Sequence, residues 1–148
     1  MDSSLFQIRA TGILIEKDHI LLVRQNTSGR EWSLPGGRAE AGELLGEAVV
    51  RELFEETGLA VKVERLLYLC DKPDSVPPVL HITFLLARTG GEIAPPTNEF
   101  DENPISDVRF VPVSHLEQYG FSKRFADFAK NGFPGAGSYM GLKKNIGL

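Results

Sequence analysis

Residues 42–59 read GELLGEAVVRELFEETGL, with five glutamates and one arginine in eighteen positions. Leu45, Val49 and Leu53 recur at helical spacing, Val50 and Phe54 widen the apolar stripe, and no proline interrupts it. This periodicity predicts an amphipathic helix from about Leu44 to Thr57. Gly58 stands where a left-handed residue ends a helix. At 100° per residue, Glu52, Glu55 and Glu56 fall within an arc of about 100°, so their carboxylates are predicted to reach one point. The cluster is locally unfavourable: Glu52 repels Glu55 at i+3 and Glu56 at i+4 by roughly 0.2–0.5 kcal/mol each. Placement near the helix C-terminus adds about 0.3–1 kcal/mol per charge.

A run of like charges most often marks a solvated face, but three features argue for more here. The nearby cation, Arg51, has Glu47 and Glu43 as its own expected partners. The acids lie beside the apolar stripe rather than opposite it. The loop Pro35–Gly37 precedes the helix, with exposed carbonyls that could complete an oxygen cage. Hard divalent cations such as Mg²⁺ take oxygen ligands, commonly one or two carboxylates together with substrate phosphates. A cation at this turn would convert repulsion into a site, polarise phosphoryl oxygens and activate water, which points to phosphoryl or nucleotidyl chemistry.

Outside the helix, FQIRATGILI (6–15) and ILLVR (20–24) read as two strands joined by EKDH, a hairpin. Residues 25–37, QNTSGREWSLPGG, carry loop punctuation. After the helix, 60–70 and 79–88 read as strands joined by the loop DKPDSVPP. An acidic, turn-rich segment, 89–103, precedes a shorter strand at 107–113. A second helix is expected from Phe121 to Lys130, with Ser122 as its cap. After Asn131 the chain has five glycines and no periodicity, so it reads as a tail whose order depends on what it packs against. Strands on both sides of one strongly amphipathic helix indicate an α/β fold, a mixed sheet flanked by helices.

The length of 148 residues, with 42% hydrophobic and 24% charged, fits one globular domain over 1–148. The formal net charge of −4 argues against a long nucleic-acid partner. MDSSLFQIRA lacks a basic start followed by an apolar run, and no stretch approaches the roughly 18 apolar residues of a membrane span. A cytoplasmic protein with no membrane partner is therefore expected. Cys70 is the single cysteine, which excludes an intramolecular disulfide and a multi-cysteine site; its setting, LLYLC, predicts a buried core thiol.

Gly37, Glu43, Arg51, Glu52, Leu53, Glu55, Glu56, Gly58 and Leu59 fall on the pattern G-x5-E-x7-R-E-U-x-E-E-x-G-U, with U a bulky aliphatic residue. Every specified position is filled. The stretch resembles the Nudix box of the MutT-like hydrolases, and a looser likeness extends over about 6–118, leaving the helix and glycine-rich tail of 119–148 unsupported. The resemblance implies an α/β/α sandwich whose loop-helix-loop holds Mg²⁺ or Mn²⁺ and hydrolyses a nucleoside diphosphate linked to another group. Carried over residue by residue, Glu52, Glu55 and Glu56 surround the metal, the Gly37 carbonyl is a further ligand, and Arg51 holds Glu43 and orients the acidic turn. Glu52 is the first candidate for the base. Glu102, with Glu99 and Asp101 as competitors, lies where relatives often supply one more acid.

Arg24 and Trp32 are candidate contacts to a substrate phosphate and base, against the plainer readings of surface arginine and packed indole. His81, in VLHITF, reads as a satisfied strand residue, and Phe84 and Phe110 as core. Glu40 and Glu47 read as ordinary surface charges. Pro73 lies where the ADP-ribose-cleaving branch tends to show a proline, so the reading leans to ADP-ribose or a nucleotide sugar. An (oxidised) nucleoside triphosphate pyrophosphohydrolase is the alternative. A non-catalytic nucleotide-binding or regulatory domain is a further one, although all three glutamates are present. The family resemblance also implies pockets often completed by a second subunit, so a homodimer is among the expected partners.

Overall fold

The computed structural model describes residues 5–25, 30–94, 105–135 and 137–148, with backbone alone for 138–142. The opening hairpin forms as expected: β1 (Gln7–Glu16) and β2 (His19–Gln25) pair antiparallel, Ile15 opposite Ile20. The turn between them, Lys17 and Asp18, has positive φ at both residues, 49° and 62°. This is the type I′ geometry whose twist matches that of the strands.

The segment expected to be loop contains two short strands, β3 (Trp32–Ser33) on β2 and β4 (Gly36–Arg38) on β1. Helix α1 runs Leu45–Thr57 and ends at Gly58, whose φ of 80° places it in the left-handed region. Glu47 is not an idle surface charge: its carboxylate accepts from the Leu44 backbone N–H at 2.7 Å, closing the first turn. Strands β5 (Leu59–Lys72) and β6 (Val79–Gly91) form a long antiparallel pair, and β7 (Ile105–Pro112) returns to β2. β6 also lies parallel to β1 along eight residue pairs, from Gln7–Val79 to Leu14–Leu86.

A 3₁₀ segment, Val113–Tyr119, leads to α2 (Lys123–Lys130), where the Ser122 hydroxyl accepts from the Phe125 N–H at 3.1 Å as the expected cap. The tail has more structure than its composition suggests. β8 (Ser138–Leu142) adds parallel to β5, and a 3₁₀ turn, Lys143–Ile146, buries Ile146 in the core. The Ser122 hydroxyl also donates to the Gly147 carbonyl, tying this turn to the start of α2.

The sheet order is β3-β2-β1-β6-β5-β8, with β4 beside β1 and β7 beside β2. Both faces are covered. Ala10, Leu14, Leu21 and Val23 face α1 through Val49 and Leu53, whereas Ile13, Ile20, Leu22 and Tyr68 face Phe125 and Ile146. Alternate residues of β1 and β2 therefore enter different cores, which is why their sequences run apolar without alternation. Phe84 and Phe110 pack half-buried against the α1 core, as expected. No helix among the described residues is long and apolar enough to cross a membrane.

Candidate active site

The acidic turn of α1 meets the sheet at two glycines. β4 pairs with β1 so that Thr11 lies opposite Gly36 and Ala10 opposite Gly37. A Cβ on Gly36 would run into the Ala10 carbonyl and Thr11 Cα; one on Gly37 would occupy the space of the Glu52 carboxylate. Bare backbone at these positions lets β1 approach from one side and α1 from the other. The Gly36 N–H donates to Glu56 Oε1 at 2.7 Å. Two carboxylates, Glu52 and Glu56, are thus brought onto the Gly36–Gly37 backbone.

Arg51 organises the rest. Its Nε and Nη2 donate to the two Glu43 oxygens at 2.6 and 2.9 Å, a bidentate pair, and Nη1 donates to Glu52 at 2.9 Å and Glu55 at 3.2 Å. Nη2 also donates to the Arg38 carbonyl at 3.1 Å, which links the helix to β4. Glu43 accepts in turn from the Glu40 N–H at 2.9 Å, and Glu40's own carboxylate stands 3.9 Å from Arg51. Two expectations change here. Glu47, the expected i−4 partner of Arg51, caps Leu44 instead, and Arg51 pairs directly with two of the trio, Glu52 and Glu55, rather than standing apart from it. Nor do all three acids converge: the Glu55 side chain, 56% exposed, leans to Arg51 and solvent.

The electrostatics grade the acids. Hydrogen bonds from Arg51 and from the Glu40 backbone hold Glu43 down to about 2, fixing it as an anion. Burial raises Glu52 against the opposing pull of Arg51. Burial also pushes Glu56 up to about 8; the Gly36 N–H works against that rise and the Glu52 charge adds to it. The site therefore holds a firmly ionised brace, Glu43, and two inner carboxyls raised by burial, Glu52 beside Arg51 and Glu56 on the Gly36 N–H. Among the described residues no three acidic, histidine or cysteine side chains are gathered closely enough to hold a metal by themselves. The donors over the glycine backbone are all hard oxygens, however, and a buried carboxyl beside a second one is relieved by a divalent cation. The residues present fit Mg²⁺ or Mn²⁺.

The other predicted residues are dispersed. Arg24 pairs with Glu31 at 2.8 Å on β2. Trp32 packs edge-on against Tyr119, ring centroids 5.2 Å apart, and carries the Arg109 guanidinium on its face at 4.9 Å. Glu99, Asp101 and Glu102 lie outside the described residues.

Sequence reasoning missed the opposite face of β1. A cavity of about 120 Å³ is lined there by Arg9, Arg30, Tyr68, His81 and Lys143 among others. His81, read as a satisfied strand residue, lines this cavity. The available signal was the repeated pattern of polar residues two apart within apolar strands: Arg9 and Thr11, His81 and Thr83, Tyr68 and Cys70. Cys70 is buried as expected, and its burial raises the thiol to about 11, which keeps it unreactive.

The model of the NUDIX domain matches residues 6–131. An ADP-ribose pyrophosphatase of Methanocaldococcus jannaschii is 41% identical over 116 residues, 72% of this chain and 69% of that protein. The NAD-capped RNA hydrolase NudC of Photorhabdus laumondii is 40% identical over 77 residues; these span 51% of this chain but 29% of that protein. Among solved structures, an ADP-ribose pyrophosphatase from Streptococcus suis superposes with a TM-score of 0.66 at 24% identity, covering 90% of this chain and 97% of that one. A UDP-X diphosphatase does so with a TM-score of 0.72 at 23% identity, covering 92% and 68%. These two likenesses establish the same fold. With the family model spanning most of the chain and a complete box placed on α1, the chain belongs to the NUDIX family of hydrolases acting on phosphoric anhydride bonds.

Proposed function

We propose that the chain hydrolyses a nucleoside diphosphate linked to another group, with ADP-ribose or a nucleotide sugar as substrate and Mg²⁺ or Mn²⁺ as cofactor. The observation that carries this reading is the placement of Glu52 and Glu56 over the Gly36–Gly37 backbone, braced by the Arg51–Glu43 pair. The 41% identity to an ADP-ribose pyrophosphatase supports the substrate class.

Glu52, Glu55 and Glu56, with the Gly37 carbonyl, would hold the metal, which supplies charge neutralisation at the phosphoryl oxygens and a water of lowered pKa. The chain's own residues do the remaining work. Arg51 fixes the rotamers of Glu43 and Glu52 through a guanidinium that bridges three carboxylates and the β4 backbone. Glu52 would take the proton of the attacking water. Arg9, on β1 opposite Arg38, lies close enough to Glu52 and Glu56 for its charge to favour their ionised forms.

A product-mass screen of the purified chain tests the reading, with Mg²⁺ or Mn²⁺ against ADP-ribose, nucleotide sugars, dinucleoside polyphosphates, and normal and oxidised dNTPs. Turnover of ADP-ribose or a nucleotide sugar, abolished by EDTA, is expected. Preference for oxidised dNTPs would move the substrate to the triphosphate class. No turnover of any would refute catalysis and favour a binding module.

A further inference from the structure

The cavity behind β1 is built by strand register. Arg9 lies opposite His81 and Thr11 opposite Thr83 across β1 and β6; across β6 and β5, His81 lies opposite Cys70 and Thr83 opposite Tyr68. Two parallel rows, Arg9-His81-Cys70 and Thr11-Thr83-Tyr68, therefore pave one face of three central strands, where an ordinary core would be apolar. The tail closes the cavity with Lys143, and the segment before β3 closes it with Arg30.

Its chemistry is one-sided. Arg9, Arg30 and Lys143 line it, none of its described lining side chains is acidic, and none of the three cations forms an ion pair among the described residues. Arg30 is held by its Nε–H to the Trp32 carbonyl at 2.7 Å and by the Phe121 ring beneath it at 4.2 Å. Burial, with Lys143 and Arg9 adding to it, pushes His81 down to about 4, leaving it a neutral donor at pH 7. Burial likewise lowers Lys143, with Arg30 contributing. The Tyr68 hydroxyl is buried and lines the cavity beside Thr83, its cross-strand neighbour. Three half-buried cations gathered around one cavity repel one another, and an anion there would offset that cost.

We infer that this cavity is a subsite for a phosphate monoester carried by the substrate in addition to the pyrophosphate that is cleaved. The inference rests on the hydrolase reading above and narrows it. The cavity, about 120 Å³, has room for a tetrahedral oxyanion. A wider cleft of about 700 Å³ shares Arg30 and Lys143 with it and is lined further out by Lys72 and Lys144 and by the acids Asp71 and Asp74, enough for the rest of a nucleotide. Arg9 spans the distance between functions, acting on Glu52 and Glu56 on one side and on His81 and Lys143 on the other.

Two measurements test this. First, the metal-free protein in EDTA is titrated calorimetrically with inorganic phosphate. Wild type should bind, Lys143→Met and Arg30→Met should weaken binding about tenfold or more each, and Lys143→Arg should retain it. Second, kcat/KM with Mg²⁺ is compared for ADP-ribose, its 2′-phosphate and its 1″-phosphate. One phosphorylated form should exceed ADP-ribose by about tenfold or more, and Lys143→Met should bring that ratio toward one. Hydrolysis of all three at equal rates, or no phosphate binding by wild type, overturns the subsite while leaving the hydrolase reading intact. Phosphate binding without turnover of any pyrophosphate would instead refute the hydrolase reading.

Discussion

Replacing Glu56 by glutamine should make the metal-free protein more stable, by an amount that grows with pH. The Glu56 carboxyl is buried on the Gly36 N–H beside Glu52, and burial lifts it from an ordinary 4.5 to about 8. Below 4.5 both folded and unfolded chains hold the proton, so the group adds nothing to the pH dependence. Between 4.5 and 8 the unfolded chain ionises while the folded one does not, so stability falls with rising pH; above about 8 the loss is complete. At about 1.4 kcal/mol for each pH unit of displacement, the total is on the order of 3–5 kcal/mol, or roughly 10 °C in Tm for a chain of this size. Glutamine keeps the acceptor for the Gly36 N–H and cannot ionise. Thermal unfolding of wild type and Glu56→Gln in EDTA from pH 5 to 9 reads this out, because titrating groups not coupled to Glu56 cancel in the difference. The curves should nearly coincide at pH 5 and separate by pH 9, with the variant higher. Adding Mg²⁺ should raise wild type alone by linkage. Parallel curves across the range would refute the buried, uncompensated carboxyl.

Further substitutions probe the frame around it. Gly36→Ala drives a methyl into the Ala10 carbonyl and should cost about 3 kcal/mol, seen as a Tm lower by several degrees. Gly37→Ala meets only the movable Glu52 carboxylate, so Tm should change little while kcat collapses; normal turnover would show that Glu52 is not needed where the structure places it. Arg51→Lys loses the bidentate grip on Glu43 and should lower activity or metal affinity by about 10–100-fold, measured by metal titration of the rate. Ile146→Ala should destabilise by about 2–5 kcal/mol if the tail is part of the core, and an unchanged Tm would detach it.

How much of this could be read beforehand depended on whether the deciding interactions were local. Helix α1, the Gly58 stop, the Ser122 cap and the hairpin turn at Lys17–Asp18 are set by residues within a few positions of one another, and their patterns were legible. Strands β3 and β4 were not, because two or three residues carry no period; they exist through close approach of β1 and α1 to Gly36 and Gly37. The partition of acids around Arg51 was legible only in part: its grip on Glu43 was expected, whereas Glu47 turns to the Leu44 N–H and Glu52 and Glu55 reach Arg51 instead. β8 forms in a glycine-rich tail only because β5 offers an edge. The cavity was least legible of all: its polar residues lie isolated in apolar strands and become neighbours through register alone.

The most direct test of the account is the rate of AMP and ribose 5-phosphate formation from ADP-ribose, with Mg²⁺ and with EDTA, in wild type, Glu55→Gln and Glu56→Gln. The account predicts turnover in wild type that EDTA abolishes and Mg²⁺ restores, and losses of more than about a hundredfold in both variants. Wild-type rates in either variant, or turnover undiminished by EDTA, would contradict it.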